Sequence, residues 1–378
     1  MDFDLSDEHR ALRETVREFA EGVVAPVAEE LDREHRFPVD IVRQLGEMGL
    51  MGVPFDAELG GGGGDTLAYA ITIEELTRID SSVGVTVAAH TSLGTSPIAL
   101  FGNEAQRALY LPDLCSGRKL AAFGLTEPGS GSDAGATRTR AVEQPDGSWI
   151  VDGEKMFITN AGTELSGVVT ITALTGDGEI SNLIVDKGTP GYEISAPLHK
   201  MGWHASDTRA LSFQACRVGP EALLGVRGAG LKQFLQILDG GRISIAAMGL
   251  GLAQGAFEQS LAYANQRNAF GRPIAKFQAI QFKLADMETE IAAARHLVYH
   301  AAWLKDRGRP FAHAASLAKL YTGELSHRAA NEGVQIHGGY GYMDEFPISR
   351  FYRDQKILEI GEGTNEVQRL VIARGLGL

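Results

Sequence analysis

Residues 356–374 read KILEIGEGTNEVQRLVIAR and place one carboxylate, Glu362, between Gly361 and Gly363 just before an amphipathic helix. Glycine on both sides bares the backbone where a ligand would have to come close. A carboxylate held there can act as a general base or acid. It can also simply sit near a helix start, where the dipole favours negative charge.

Three other stretches carry ligand-binding residue types. In AAFGLTEPGSGSDAGATRTR, residues 121–140, the segment GSGSDAG has the look of a dinucleotide fingerprint. No helix opening a βαβ unit follows it and no parallel sheet is implied around it, so a Rossmann site is rejected. The stretch is then either a glycine-rich turn leaving a strand, or a loop whose N–H groups and hydroxyls, from Thr126, Ser130 and Ser132, meet a flat polar heterocycle or a phosphate. In NQRNAFGRPIAKFQ, residues 265–278, Arg267, Arg272 and Lys276 flank a break between two helices. Guanidinium groups there can clamp a diphosphate bidentately, or form an ordinary solvated helix end. In QIHGGYGYMDEFPISRFYRD, residues 335–354, paired glycines permit close approach, while Arg350, Arg353 and Asp354 read as structural ion-pair partners and His337 as a ligand or a hydrogen-bonded structural residue.

Other chemistries lack their residues. His296 and His300 have helical metal spacing but neither the intervening Glu nor a third ligand nearby, so no metal site is expected. There is no G-x-S-x-G nucleophile elbow. The two cysteines, Cys115 and Cys216, make neither a disulfide framework nor a zinc site, which suits a reducing compartment. A net charge of −13 disfavours nucleic acid or anionic membrane as the main partner.

The elements that must position these residues follow from length and periodicity. A chain of 378 residues, 44% apolar and 22% charged, is globular in composition and long enough for about two to three domains. The longest apolar runs stop short of a membrane span. The acidic start resembles neither a secretory signal nor a transit peptide, so a cytoplasmic chain, or a trimmed matrix protein, is expected. Leu12, Val16, Phe19 and Val23 keep a helical period behind a Ser6 cap, and further helices are expected over 38–48, 66–79, 82–100 and 104–115. From 121 to 217 short β-branched segments alternate with turn signals, which predicts a small antiparallel barrel or sandwich. Long helices then return over 232–266, 279–307, 310–335 and 365–373, implying a bundle.

Taken together, FGLTEPGSGSDAG, KMFITNAG, RNAFGRPIAKFQ, QIHGGYGY and GEGTNEVQR resemble the acyl-CoA dehydrogenase family, in order and across essentially the whole chain. The resemblance implies an α+β multidomain fold: an N-terminal α-helical domain (1–118), a central antiparallel β-barrel domain (119–227) and a C-terminal four-helix bundle (228–378). It implies FAD as cofactor, an acyl-CoA thioester as substrate, an electron-transferring flavoprotein as acceptor, and a homotetramer built as a dimer of dimers. Glu362 matches the catalytic base, which takes the α-proton while the flavin takes the β-hydride, and burial is expected to raise its pKa. Gly363 matches the backbone donor to the thioester carbonyl. Phe123, Leu125, Thr126, Gly131 and Ser132 match the loop along the flavin ring, and Phe157, Ile158 and Thr159 the segment on its other face. Arg267, Phe270 and Gln278, with Gln335, Ile336, His337, Gly338 and Gly339, match the diphosphate and adenosine site, partly across a subunit boundary. Thr364, Asn365 and Glu366 complete that site, and Ser132, Asp239 and Arg242 match substrate contacts.

Four positions individualise the chain. Phe157 stands where many relatives have Trp, and Gly361 where a Tyr or other bulky residue often precedes the base, which widens the expected acyl cavity. Gly84 stands near the place where glutaryl-type relatives carry an Arg, which argues against a dicarboxylyl substrate. Some relatives carry their base at the position of Gly241, so Glu362 has no rival here. A flavin-dependent oxidase or monooxygenase acting on a carrier-bound or small substrate is the alternative reading, and a monooxygenase needs no carboxylate at 362.

Overall fold

The helical period at the start of the chain is realised as α1, Asp7–Phe19, capped by Ser6, whose hydroxyl accepts from the His9 N–H at 3.2 Å. This is a computed structural model, and it describes residues 4–378. A π-helical turn, Ala20–Val24, carries α1 into α2, Ala25–Glu34; α3, Val39–Glu47, and α4, Thr66–Ile79, follow. The helix expected over 82–100 is in fact two, α5 (Ser81–Ala88) and α6 (Ser96–Phe101), with a π-helical turn at Ala89–Thr95 between them. Such a turn re-aims side chains and is frequent at functional sites. Here Leu93 stays partly exposed while Ser92, Gly94 and Thr95 on either side are buried. Helix α7, Glu104–Cys115, opens on a capping box between Asn103 and Gln106.

The strand-rich middle forms one sheet from β1 (Leu120–Gly124), β2 (Arg140–Glu143), β3 (Trp149–Thr159), β4 (Ser166–Gly176), β5 (Glu179–Asp186), β6 (Tyr192–Ile194), β7 (Thr208–Val218) and β8 (Leu223–Leu224). The path runs β6-β7-β3-β2-β4-β5-β8, with β1 added on β4. Two points differ from the expected antiparallel barrel. Among the described residues no pairing joins β6 to β8, so closure into a barrel is not seen, and β1 and β2 both pair parallel to β4. A parallel pair needs a long connection, which the residues between Gly124 and Ser166 supply. Ile158, Val169, Ile171, Leu183 and Phe213 form its core.

The last part is helical apart from a two-residue hairpin. Helix α8 runs 37 residues, Gly230–Gln266. Strands β9 (Asn268–Ala269) and β10 (Arg272–Pro273) turn through Phe270 and Gly271, both left-handed at φ 53° and 79°. Helices α9 (Gln278–Asp306), α10 (Ala312–His337), α11 (Pro347–Asp354) and α12 (Asn365–Gly375) complete the chain. No helix among the described residues is long and apolar enough to cross a membrane.

Helix α8 is the axis on which the helical parts meet. A Cβ on Gly251 or Gly255 would overlap the backbone oxygens of Glu74 and Arg78 on α4, and one on Gly249 would stand 2.8 Å from Thr322 O on α10. Glycine is there so that backbones can touch. Helix α4 answers with buried acids: Glu75 accepts from Arg17 of α1 and from Arg78, each at 3.0 Å, and Glu74 from Arg295 (3.0 Å) and Tyr299 (2.6 Å) of α9. The expected ion pairs of Arg350 and Arg353 form with Asp80 and Asp32, while Asp354 accepts from Ser81 Oγ at 2.6 Å and the Trp203 N–H at 2.7 Å.

By helix propensity alone Gly255→Ala would stabilise by about 1 kcal/mol. The overlap with Arg78 O predicts the opposite sign, a loss of about 1–3 kcal/mol from overpacking. A lower thermal midpoint for this variant is the expected outcome, measured by calorimetry.

Candidate active site

Glu362 sits in a turn that its own sequence makes costly. Its φ is 53° and that of Gly363 is 92°, so a non-glycine residue adopts left-handed backbone beside a glycine that adopts it freely. The turn is clamped from two sides. Lys319 Nζ, from α10, donates to Gly363 O at 2.8 Å and to Asn365 Oδ1 at 3.1 Å, and Gln368 Nε2, from α12, donates to Gly363 O at 2.9 Å. Thr364 then caps α12 by accepting from the Val367 N–H at 3.3 Å.

Glu362 as a residue is partly exposed, but its Oε2 is buried and has no hydrogen-bond partner. Burial pushes the carboxyl up to about 8, against the opposing pull of Lys319 and Arg242. An acid in this state takes up a proton readily near neutral pH. Room for it depends on α8: a Cβ on Gly241 would overlap Glu362 Oε2 and stand 3.1 Å from Leu93 Cδ2. The π-helical turn thus brings Leu93 to the same cavity wall.

Arg242 and Asp239 lie one helical turn apart on α8. Arg242 Nη1 donates to Asp239 Oδ1 at 2.6 Å and reaches Ser316 Oγ at 3.4 Å, while its buried Nε has no partner. Below Gly241 lies a cluster of hydroxyls that sequence reading missed. Ser244 Oγ donates to Gly241 O at 2.7 Å and lies 3.2 Å from Ser92 Oγ. Ser92 and Tyr69 both donate to Ala88 O, at 2.7 and 3.0 Å. No local spacing links Tyr69, Ser92 and Ser244; only the packing of α4, the π-helical turn and α8 does.

The expected flavin loop lies against β3. Thr126 O accepts from the Met156 N–H at 2.8 Å, which sets the loop beside Phe157. The β3–β7 register shifts between Lys155 and Ile158, and Phe157, at φ 61°, is turned out with two-thirds of its surface exposed (67%). A bulge re-aims a side chain in this way. Phe123 stacks on Phe234 at 4.0 Å. Ile158 and Leu125 are buried, Ile158 within the sheet core, so their side chains pack inward. Gly131 and Ser132 are exposed, with open space where a Cβ on Gly131 would stand.

Beneath the loop is an ion pair for which the sequence held no spacing signal. Lys155 Nζ donates to Glu127 Oε1 at 2.7 Å and to Thr172 Oγ1 at 3.0 Å, and Glu127 also accepts from the N–H groups of Arg138 (2.6 Å) and Thr139 (3.1 Å). Burial works to raise the Glu127 carboxyl, but the Lys155 charge and these donors overcome it and bring it down to about 2. The loop is thereby anchored at its root.

A cavity of about 560 Å³ lies at the other end of the helices, lined in part by Arg267, Ile336, His337, Gly338 and Gly339. The Arg267 guanidinium lies over the Tyr340 ring, 5.4 Å from its centre. His337 stacks on Tyr263 at 4.2 Å and its Nδ1 lies 2.7 Å from Gly333 O, so the imidazole is a packed, hydrogen-bonded wall. Gly338 and Gly339 have open space where a Cβ would stand. Phe270, 95% exposed, and the exposed Gln278 and Gln335 lie outside this cavity. Thr364 and Asn365 commit side-chain oxygens to the Val367 and Lys319 bonds within the chain, and Glu366 is exposed. Among the described residues no cluster of His, Cys, Asp or Glu could hold a metal ion.

Family models for the N-terminal, middle and C-terminal domains of acyl-CoA dehydrogenases match residues 6–118, 122–216 and 228–377. The chain belongs to the acyl-CoA dehydrogenase family. A probable acyl-CoA dehydrogenase of Bacillus subtilis is 50% identical over 381 residues, covering 100% of both chains. Butyryl-CoA dehydrogenase from Megasphaera elsdenii superposes with a TM-score of 0.97 at 41% identity, again over 100% of both chains. An acyl-CoA dehydrogenase from Bacillus anthracis complexed with FAD gives 0.95 at 38% identity, over 99% of this chain and 67% of that one.

For this acyl-CoA dehydrogenase, Gly241→Ala pushes a methyl into the space of Glu362 Oε2. A misplaced carboxylate predicts about 10²-fold slower turnover of acyl-CoA, read in a dye-reduction assay at unchanged flavin content.

Proposed function

We propose that the chain is an FAD-dependent acyl-CoA dehydrogenase in which Glu362 removes the α-proton of an acyl-CoA thioester to yield the trans-2-enoyl-CoA. The observation that carries this reading is the buried, unpartnered Oε2 of Glu362, held in a left-handed turn beside the bare backbone of Gly363. A carboxyl pushed up to about 8 is a stronger base than an exposed one. The Gly363 N–H serves the thioester oxygen and stabilises charge developing there as the α-proton leaves.

The residues present fit FAD. Phe157 offers an exposed aromatic face, the 126–132 loop presents the exposed Gly131 and Ser132 while the Ser130 hydroxyl is spent on Asp133 O, and Arg267 with Gly338 and Gly339 suits a diphosphate and nucleoside. When bound, FAD supplies the acceptor for the hydride leaving the β-carbon. Thr126 and Phe123 to Ser132 would hold one face of its ring, and Phe157 to Thr159 the other. Asp239, Arg242 and Ser132 are read as substrate contacts. Phe270 and Gln278, exposed on this chain, are read as completing the cofactor site of a neighbouring subunit in a homotetramer. The reading also takes α8, α9, α10 and α12 as a four-helix bundle and the sheet as barrel-like, with an electron-transferring flavoprotein as acceptor and the cytoplasm as location. A basic carboxylate at 362 favours dehydrogenation over monooxygenation.

The acyl group we infer is short and tolerant of a branch. A solved relative is named for butyryl-CoA. Within 4 Å of the Cβ position of Gly361 stand only two Ile357 atoms, at 3.4 and 4.0 Å, so the side of the base is open. A Cβ on Gly84 would overlap Thr77 Oγ1, which leaves no place for a long cation to hold a second carboxylate.

Glu362→Gln tests the base: FAD is retained and turnover falls about 10²- to 10⁴-fold, while near-normal turnover places the base elsewhere. The free enzyme needs the ionised carboxylate, so kcat/KM rises with pH through about 8. The stability effect has the opposite sense. The folded state binds the extra proton between the ordinary 4.5 and about 8, so stability falls as pH rises through that window, and Glu362→Gln raises the thermal midpoint there. Specificity is tested with an anaerobic acyl-CoA panel read by flavin bleaching. Branched short acyl groups bleach the wild type and lose about 10-fold or more in Gly361→Tyr; a wild-type profile confined to straight chains removes the branch inference.

A further inference from the structure

Lys319 is among the largest fully buried side chains of the molecule, a position at which an ammonium needs a reason. Its two hydrogen bonds go to neutral oxygens, Gly363 O at 2.8 Å and Asn365 Oδ1 at 3.1 Å, and among the described residues it forms no ion pair. Both acceptors belong to the turn that carries Glu362. The other cation near Glu362, Arg242 of α8, is already paired with Asp239 at 2.6 Å. Tyr69 faces the site from α4, Lys305 of α9 lies 3.3 Å from the Cβ position of Gly240, and Glu359 and Glu366 flank the turn in sequence. Of the two cations that act on the Glu362 carboxyl, Lys319 is therefore the one whose charge is not already matched at short range.

We propose that Lys319 is a positioning residue for Glu362: it holds the strained 361–364 turn through Gly363 O and Asn365 Oδ1, and its unmatched charge favours the ionised form of the Glu362 carboxyl against the effect of burial. The inference rests on the reading of Glu362 as the base. Two observations support it besides the geometry. Lys319 is the larger of the two cationic influences that lower the Glu362 carboxyl against burial, and Glu362 is the foremost influence that holds up the Lys319 ammonium, which burial otherwise lowers.

The test is a difference-infrared titration of the protonated Glu362 carboxyl, assigned as the band missing in Glu362→Gln, in the holoenzyme and in Lys319→Met, Lys319→Gln and Lys319→Arg. Loss of an opposite charge at this range raises a carboxyl midpoint by about 1–3 units. Lys319→Met and Lys319→Gln are expected to show that rise at retained FAD content, and the pH at which kcat/KM climbs moves with it. Lys319→Arg, which keeps the charge, stays near wild type. Where Lys319→Met does not fold, Lys319→Gln against Lys319→Arg carries the comparison. An unchanged midpoint in the neutral variants overturns the proposal and leaves Lys319 a structural tie. If Glu362→Gln instead turns over normally, the base assignment fails, while the infrared midpoints still decide whether Lys319 sets the carboxyl.

Discussion

A carboxylate oxygen buried without a partner is the constraint around which the rest of this chain is arranged. Such a group costs free energy that folding must recover elsewhere, and the left-handed backbone at Glu362 adds to that cost. Every nearby feature bears on keeping the oxygen in place without quenching it. Gly241 removes a side chain that would displace it, Gly363 removes one that would press on Gln368 Nε2 beside the turn, and Lys319 grips the turn by a carbonyl rather than by the carboxylate. Had Lys319 paired directly with Glu362, a salt bridge would have lowered the basicity that the burial provides.

Close backbone contact is the means by which the helices achieve this. Helix α8 brings Gly241 to the acid, Gly249 to α10, and Gly251 and Gly255 to α4, all on one continuous helix. The spacing of those glycines sets where α4 and α10 cross, and so where the π-helical turn can deliver Leu93 and Ser92. A 37-residue helix with so many glycines has weak intrinsic propensity. It is stable because nearly all of its middle, from Gly241 to Ala253, is buried, and packing rather than propensity supports most protein helices.

The parts legible in sequence were those with short-range signals. The Ser6 cap and the helices expected over 66–79 and 104–115 rest on local signals, and the bounds of α4 and α7 matched closely. Glu362 stood out because two flanking glycines are a local signal as well. The interrupted helix over 82–100 was not legible, since a π-helical turn leaves no fixed residue mark and is set by the packing of Gly94 against Ala121. The parallel pairing of β1 with β4 was hidden for a like reason: strand partners far apart in sequence share no spacing. Lys155 and Lys319 were passed over because a lysine is ordinarily a surface residue. Only the fold shows that both are buried, one beneath the 126–132 loop and one beneath the turn that carries Glu362.

These two lysines divide the work of holding a site whose own residues are poorly held. Lys155 is matched by Glu127, an ion pair to which Thr172 adds an acceptor for the ammonium and backbone N–H groups add donors to the acid, and it fixes the root of the loop. Lys319 meets only neutral oxygens and leaves its charge to act on a neighbour. Buried cations of one residue type thus serve opposite ends, and the difference lies in whether the nearest acceptor is itself ionised. Where the acceptor is a carboxylate, the lysine makes a rigid joint. Where it is a carbonyl beside a carboxyl, the ammonium's charge is left to act on the neighbouring acid.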